Sequence, residues 1–182
     1  MNDISLYILD IAQNSIKANA QNIKITLIEE NGEYLMIHIS DDGDGMNQNT
    51  LANIKNPFHT SRKTRKVGLG IPFLTMATEQ TGGSLTVKSR AKDDFPGEHG
   101  TDVTAMFNMT HIDFPPFGDL AETVAVLIFA NPDLDFDFKH IKADKTIQIE
   151  TKQLREQLGD VPLSEVEVYS WIKDYLTECY QS

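Results

Sequence analysis

The spacing of apolar and polar residues predicts a helix followed by a β-hairpin at the start of the chain. Apolar residues recur at helical spacing over residues 3–19, so this segment is predicted to be a helix with one apolar side. Residues 23–27 and 35–39 alternate apolar and polar positions, which predicts two strands. Asn31 and Gly32 lie between them and form a strong turn signal, so the strands are expected to pair as a hairpin.

Two further helices and two further strands are predicted before residue 110. A short helix is expected at 50–55, and a longer one is expected to end at Gly82-Gly83, because a glycine is a frequent helix stop. Residues 84–89 and 101–109 are predicted to be strands on either side of a loop rich in Asp, Pro and Gly.

Prolines mark the end of this first part. Pro115 and Pro116 interrupt the pattern, and we therefore expect two domains, residues 1–110 and a small α+β domain of residues 111–182. The second domain contains most of the acidic excess: the chain has a formal net charge of −11, and we count 14 acids and 6 bases after residue 109. Nucleic acid and anionic membranes are therefore not expected as partners.

The second part is predicted to contain two helices and two short strands. The helix is expected at 120–130 and the strands at 136–138 and 146–149. Ser164 and Glu167 have the spacing of a capping box, which predicts the start of the last helix. Its apolar stripe could pack within the chain or against a second subunit in a homodimer; the stripe consists of Val168, Ile172, Tyr175, Leu176 and Cys179.

Cysteine content and hydropathy bear on the compartment. Cys179 is the only cysteine, which excludes an intramolecular disulfide framework. No segment approaches the roughly 20 apolar residues that span a bilayer, and the N-terminus lacks a signal-peptide pattern. A cytoplasmic location is therefore expected.

Three polar residues of the first predicted helix share one side. Asp10, Asn14 and Lys17 fall within about 60° of one another at 3.6 residues per turn. A carboxylate, an amide and an ammonium together could orient water, ligate a hard cation and meet a phosphate. The same spacing is also typical of an ordinary solvated helix face.

An aspartate followed by spaced glycines comes directly after the second predicted strand. In Asp41-x-Gly43-x-Gly45, the glycines permit close backbone approach to a flat ligand, and the carboxylate can accept a hydrogen bond from an amine. An ordinary turn has the same composition, whereas an EF-hand calcium loop is excluded because no Glu stands at its final position.

A basic segment ends at a predicted helix N-terminus, a combination that favours phosphate binding. No acid occurs between Asp44 and Glu79, and a solvated basic loop is the alternative interpretation. The residues of interest in this segment are Thr60, Ser61, Arg62 and Lys63, then Gly68, Leu69 and Gly70. A further candidate is Thr101, at the start of the strand predicted at 101–109. The chain has no P-loop, no dinucleotide glycine motif and no H-E-x-x-H zinc motif.

Taken in order and spacing, these segments resemble the N, G1, G2 and Gly-Thr motifs of the GHKL (Bergerat-fold) ATPase superfamily. That superfamily comprises gyrase-type topoisomerases, ninety-kilodalton chaperones, histidine kinases and MutL-type repair proteins, and Asn14-Ser15-Ile16-Lys17 looks most like a histidine-kinase N box. The resemblance covers residues 1–109. It implies a two-layer α/β sandwich with a mixed or antiparallel sheet, hence an α+β fold.

The resemblance also implies the role of each residue. Asp41 would meet the adenine amine with help from Thr101, and Asn14 would ligate Mg²⁺ on the phosphates of ATP. Lys17 and the lid residues Thr60, Ser61, Arg62 and Lys63 would meet the phosphates. Backbone clearance would come from Gly43, Gly45, Gly68 and Gly70, with Leu69 between the last two.

The chain departs from the superfamily pattern at two positions. Asp10 stands where ATP-hydrolysing members usually have a Glu that activates water, and Lys66 replaces the first glycine of G-x-G-L-G. A misplacement near 1 Å can cost about 100-fold in rate, so slow hydrolysis is expected.

Two functional hypotheses follow. The alternative to both is an α+β protein without nucleotide binding, whose glycines serve only turns. The first is an enzyme, either a stand-alone ATPase or a protein kinase that acts on an intracellular protein partner, as anti-sigma-factor kinases do. The second is a non-catalytic interaction module that ATP or ADP orders.

Overall fold

In a computed structural model, which describes residues 3–55 and 70–182, the described strands form one six-stranded mixed sheet in the order β3-β4-β2-β1-β5-β6. This confirms the expected α+β class with a mixed sheet. The strands are β1 Asn22–Glu30, β2 Tyr34–Asp41, β3 Ser84–Arg90, β4 Gly100–Asn108, β5 Asp135–Ile141 and β6 Thr146–Glu150. The helices are α1 Ile4–Lys17, α2 Gln48–Asn53, α3 Gly70–Gln80, α4 Leu120–Ala130, α5 Thr151–Leu158 and α6 Val166–Gln181.

The predicted hairpin is present. β1 and β2 pair antiparallel, from Ile23 opposite Asp41 to Glu30 opposite Tyr34. Residues 31–33 connect the strands, and the Glu33 N–H donates to the Glu30 carbonyl at 3.0 Å. Asn31 and Gly32 in this connection both have positive φ, 53° and 68°.

Helix α1 packs on the sheet through its apolar side and is anchored at its N-terminus. Asp3 caps the helix by accepting a hydrogen bond from the Leu6 N–H at 2.9 Å. The carbonyls of Pro116 and Phe117 accept from the N–H groups of Ile4 and Ser5, each at 2.9 Å. The segment after residue 110 therefore supplies the partners that the first turn of α1 lacks.

The second part of the chain extends the sheet of the first part. β5 pairs parallel with β1, so that Phe138 lies opposite Ile25, and β6 pairs antiparallel with β5. The buried apolar residues of α4 and α6 belong to the same hydrophobic cluster as those of α1 and β1. The sheet and the core thus run across the boundary expected near residue 110.

Two features of the C-terminal region differ from expectation. Helix α5 was not predicted; its Arg155 is tied to Asp135 and to the carbonyls of Pro132 and Leu134. The capping box was wrong: α6 begins at Val166, and its N-cap is Glu165, whose side chain makes no cap hydrogen bond. The Glu165 N–H instead closes a turn on the Pro162 carbonyl at 3.2 Å, which leaves Ser164 outside the helix.

A buried polar network ties the end of α6 to the sheet. His140, 1% exposed, lies between Tyr180 and Glu29, with Nδ1 2.9 Å from the Tyr180 hydroxyl and Nε2 2.9 Å from the Glu29 carboxylate. Burial lowers the pKa of His140, although Glu29 acts in the opposite direction. A neutral ring satisfies all three groups if Tyr180 donates to Nδ1 and Nε2–H donates to Glu29.

Candidate functional site

A mostly apolar cavity of about 190 Å³ lies between α1 and the sheet, and five of the predicted site residues line it. The polar members of that set are Asn14, Lys17, Asp41 and Thr101, and the fifth is Gly45. The apolar walls are formed by Ile11, Ala18, Met46, Ile54, Ile71, Val87 and Val103. Apolar walls with a few convergent polar groups are typical of a small-molecule site.

Asp41 lies at the end of β2 and is held in place by two neighbours. The Ser15 hydroxyl donates to Oδ2 at 2.6 Å, and the Gly43 N–H donates to Oδ1 at 2.9 Å. Burial raises the pKa of Asp41 above its usual value, and these hydrogen bonds, with one from the Thr101 backbone, only partly offset that effect. The carboxylate is therefore an oriented acceptor inside the cavity.

Two serines that the sequence interpretation did not assign support the site. Ser15 donates to Asp41, and the Ser89 hydroxyl accepts from the Met46 N–H at 2.8 Å and lies 2.9 Å from Thr101 Oγ1. The sequence could have indicated a role for Ser15, because it is a hydroxyl on the apolar side of a predicted helix. It could not have indicated a role for Ser89, because only the register of β3 against β4 places Ser89 opposite Thr101.

The glycines after Asp41 are required by close backbone approach. Gly45 has φ +66°, and a Cβ there would stand 1.9 Å from the Arg90 carbonyl oxygen. A Cβ on Gly43 would stand 2.7 Å from the Ala18 carbonyl oxygen. The loop thus runs between the end of α1 and the end of β3 with no room for side chains at these positions.

This geometry predicts unequal costs for two alanine substitutions. Gly32 has a similar φ of +68° with nothing near its absent Cβ, so Gly32→Ala should cost only backbone strain, about 1 kcal/mol. Gly45→Ala adds overpacking against the Arg90 backbone and should cost about 3 kcal/mol. Urea unfolding of the two variants beside the wild type measures the difference. Equal losses would mean that the loop shifts away from Arg90 freely.

Asp10 and Asn14 each present a buried oxygen without a hydrogen-bond partner in the described part of the chain. The atoms are Asp10 Oδ2 and Asn14 Oδ1. A Cβ on Gly70 would stand 1.5 Å from that Asp10 oxygen, so the start of α3 lies directly against the carboxylate. Carboxylate and amide oxygens are ligands that Mg²⁺ accepts. Within residues 3–55 and 70–182, no group of three or more His, Cys, Asp or Glu side chains is placed to hold a metal.

Comparison with known proteins gives the family. Residues 2–111 match the family described as histidine kinase-, DNA gyrase B- and HSP90-like ATPase. The chain belongs to this family. Sporulation kinase C of Bacillus subtilis (strain 168) is 29% identical over 91 residues, which are 50% of this chain and 21% of that protein. The chain thus spans about a fifth of the length of this curated relative.

Two solved structures share the GHKL fold. The N-terminal domain of a DNA repair protein aligns with a TM-score of 0.59 at 18% identity, over 81% of this chain and 51% of that one. The Aquifex aeolicus MutL ATPase domain complexed with ADP aligns with a TM-score of 0.57 at 12% identity, over 87% and 68%. Both alignments cover a larger share of the chain than residues 2–111, so the shared fold includes part of the region after residue 111.

Several predicted residues of the GHKL domain lie outside the described residues. They are Thr60, Ser61, Arg62, Lys63, Gly68 and Leu69, together with the departure Lys66. Among the described residues, no helix is both long and apolar enough to cross a membrane.

Proposed function

We propose that this GHKL domain binds ATP with Mg²⁺ in the cavity between α1 and the sheet, and that it consumes ATP as a stand-alone ATPase or as a kinase of a protein partner. The observation that supports this best is the oriented, partly buried carboxylate of Asp41 in an apolar cavity beside Asn14 and Lys17. Membership of the ATPase family and the local similarity to a sporulation kinase agree with it.

The adenine ring is proposed to occupy the apolar part of the cavity. There the ring would pack between Met46 and Ile71, and its exocyclic amine would donate to Asp41. The hydroxyl of Thr101, fixed by Ser89, is available to hold a water beside Asp41.

The phosphates are proposed to extend along the polar side of α1. Asn14 Oδ1 would ligate Mg²⁺, because this oxygen is buried and has no hydrogen-bond partner among the described residues. The Lys17 ammonium would contact a phosphate. A bound Mg²⁺ would neutralise charge on the phosphates. The proposed phosphate contacts also include Thr60, Ser61, Arg62 and Lys63 and the glycines Gly68 and Gly70 around Leu69.

Asp10 is proposed as the general base that accepts a proton from the attacking water or hydroxyl. Its Oδ2 is free of partners within the described residues and lies one helical turn from Asn14. The start of α3 lies directly against this carboxylate, where a Cβ on Gly70 would stand 1.5 Å from Asp10 Oδ2.

We further propose that the domain acts in the cytoplasm on a protein partner. The net charge of −11 makes nucleic acid and anionic membranes poor partners. The second candidate, a nucleotide-gated interaction module without turnover, is favoured by the short reach of Asp10 and remains an outcome of the test.

Labelled ATP distinguishes these functions. The purified protein is incubated with Mg²⁺ and ATP labelled on its terminal phosphate, with and without host cell extract, beside Asn14→Ala. Release of labelled phosphate identifies an ATPase, and transfer of label to a protein identifies a kinase, if either disappears in the variant. Retention of intact ATP by the wild type alone supports the interaction module. Turnover that is unchanged in Asn14→Ala would contradict the site assignment.

A further inference from the structure

Helix α6 exposes two stacked aromatic rings. Trp171 is 52% exposed and Tyr175 is 36% exposed, and their ring centroids lie 5.3 Å apart with planes only 5° from parallel. The adjoining side of α6 buries Val168, Ile172 and Leu176 in the core. Both rings border this buried side, and the Tyr175 hydroxyl donates to the Gln148 carbonyl at 3.4 Å. Their remaining surface is exposed, and a paired indole and phenol on the surface is typical of a binding surface.

Exposed carboxylates surround these rings. At about 100° per residue, Glu167, Asp174 and Glu178 share a sector of about 100° with Trp171 and Tyr175. All three acids are exposed. We call these five residues the α6 outer face.

The lone basic residue in the α6 sequence is turned away from this face. Lys173 Nζ lies 2.6 Å from Glu122 Oε2 on α4, and the Tyr169 hydroxyl donates to Glu122 Oε1 at 2.7 Å. Because Glu122 neutralises Lys173, the acids of the outer face have no cation on their own helix to balance them.

We propose that the α6 outer face binds an arginine-rich segment of a partner protein. A guanidinium group is planar and stacks on aromatic faces, and it also donates paired hydrogen bonds to carboxylates. The outer face offers both kinds of contact side by side. A symmetric contact with a second copy would instead bring two sets of the same carboxylates together, and their mutual repulsion disfavours such a dimer. The inference is independent of nucleotide binding.

Trp171 makes the test direct, because it is the only tryptophan in the chain. The 182-residue chain is titrated with a twelve-residue peptide of alternating Arg and Ala, and with matched peptides that carry Lys or Glu in place of Arg. We expect a saturable change in Trp171 fluorescence with the Arg peptide, at least threefold weaker binding of the Lys peptide, and no saturation with the Glu peptide. No saturable change with the Arg peptide would overturn the proposal.

Charge-matched variants separate this face from the general acidity of the chain. One variant carries Glu167→Gln, Asp174→Asn and Glu178→Gln. The control removes three exposed charges elsewhere, through Glu33→Gln, Asp93→Asn and Asp94→Asn. With fluorescein-labelled Arg peptide and anisotropy as the readout, we expect at least a tenfold loss for the first variant and less than a twofold loss for the control. Equal losses would show that binding is non-specific and overturn the proposal.

The aromatic part is tested with Tyr175→Ala against Tyr175→Phe. The ring should matter more than the hydroxyl, so we expect a loss only with alanine, and thermal unfolding confirms that both variants fold. Sedimentation equilibrium tests whether a second copy of the chain occupies this face instead. A dimer that Tyr175→Ala dissolves and that excludes the Arg peptide would assign the face to a second copy and overturn the proposal.

Discussion

Replacing Asp41 by asparagine is expected to lower the affinity for MgATP about 100-fold. In the proposed complex, the carboxylate accepts a hydrogen bond from the adenine amine in a cavity with apolar walls. Loss of a charged acceptor there, or its replacement by an NH₂ that faces another donor, costs about 3 kcal/mol, which corresponds to about 100-fold in Kd. Isothermal titration calorimetry with MgATP measures the change.

The same substitution should leave stability nearly unchanged. Burial raises the pKa of Asp41, so the ionised carboxylate opposes folding, and its contribution to stability falls as pH rises through that pKa. An asparagine can keep the local hydrogen bonds: Oδ1 accepts from the Gly43 N–H, and Nδ2 donates to the Ser15 hydroxyl. Ser15 can then donate to the Ile11 carbonyl, 3.3 Å away. We expect the free energy of unfolding to change by less than about 1 kcal/mol at pH 7.

The neighbouring Asp42 provides a matched control with the opposite behaviour. Burial by itself would raise the pKa of Asp42. Hydrogen bonds donated by Asn22 and by the Gln21 N–H outweigh burial and hold that pKa below its usual value. Its contribution to stability is therefore present at neutral pH and is lost as pH falls through the carboxyl range.

Asp42→Asn should accordingly lower the free energy of unfolding by about 1 kcal/mol at pH 7, with a smaller effect at pH 3, and leave MgATP affinity unchanged. Urea unfolding at the two pH values, together with the same calorimetry, measures both effects. Equal effects of the two substitutions on affinity would show that Asp41 has no special contact with the nucleotide.

Local signals predicted local structure well in the first part of the chain, although the capping-box signal before α6 was wrong. Asn31-Gly32 supplies the two positive φ angles of the tight connection, and the alternation on either side of it determines which face of β1 and β2 is buried, so the hairpin needs no information from elsewhere in the chain. The polar stripe of α1 is local in the same sense. It places Asn14 and Lys17 on one cavity wall through helical geometry alone.

Contacts between distant segments could not be predicted in this way. The parallel pairing of β5 with β1 joins residues more than 100 positions apart, and no turn residue specifies it. The approach of Gly70 to Asp10 depends on how α3 packs against α1, which the glycine motif does not encode. Both features alter the interpretation: the first makes the acidic C-terminal region part of the same sheet, and the second places the start of α3 against the carboxylate of Asp10.

Asp10→Asn is expected to separate nucleotide binding from ATP consumption. Asparagine matches aspartate in size, so the contact with Gly70 is kept, but an amide cannot accept a proton as a general base. Removal of a negative charge near the phosphates should leave MgATP affinity equal or slightly higher. Turnover should fall about 10²–10⁴-fold, the range that general base catalysis contributes. Calorimetry and labelled-phosphate release measure the two quantities on one preparation.

Gly70→Ala tests whether the position of that carboxylate matters as well as its presence. The added methyl would occupy the space of Asp10 Oδ2 and force the side chain to turn away, although the base itself is retained. We expect a loss of turnover in the same direction but about tenfold, and little further loss when Gly70→Ala is added to Asp10→Asn, because both act through one group. Independent, multiplicative losses would mean that Gly70 acts on the nucleotide rather than on Asp10. Full turnover in Asp10→Asn would remove Asp10 from the chemistry altogether.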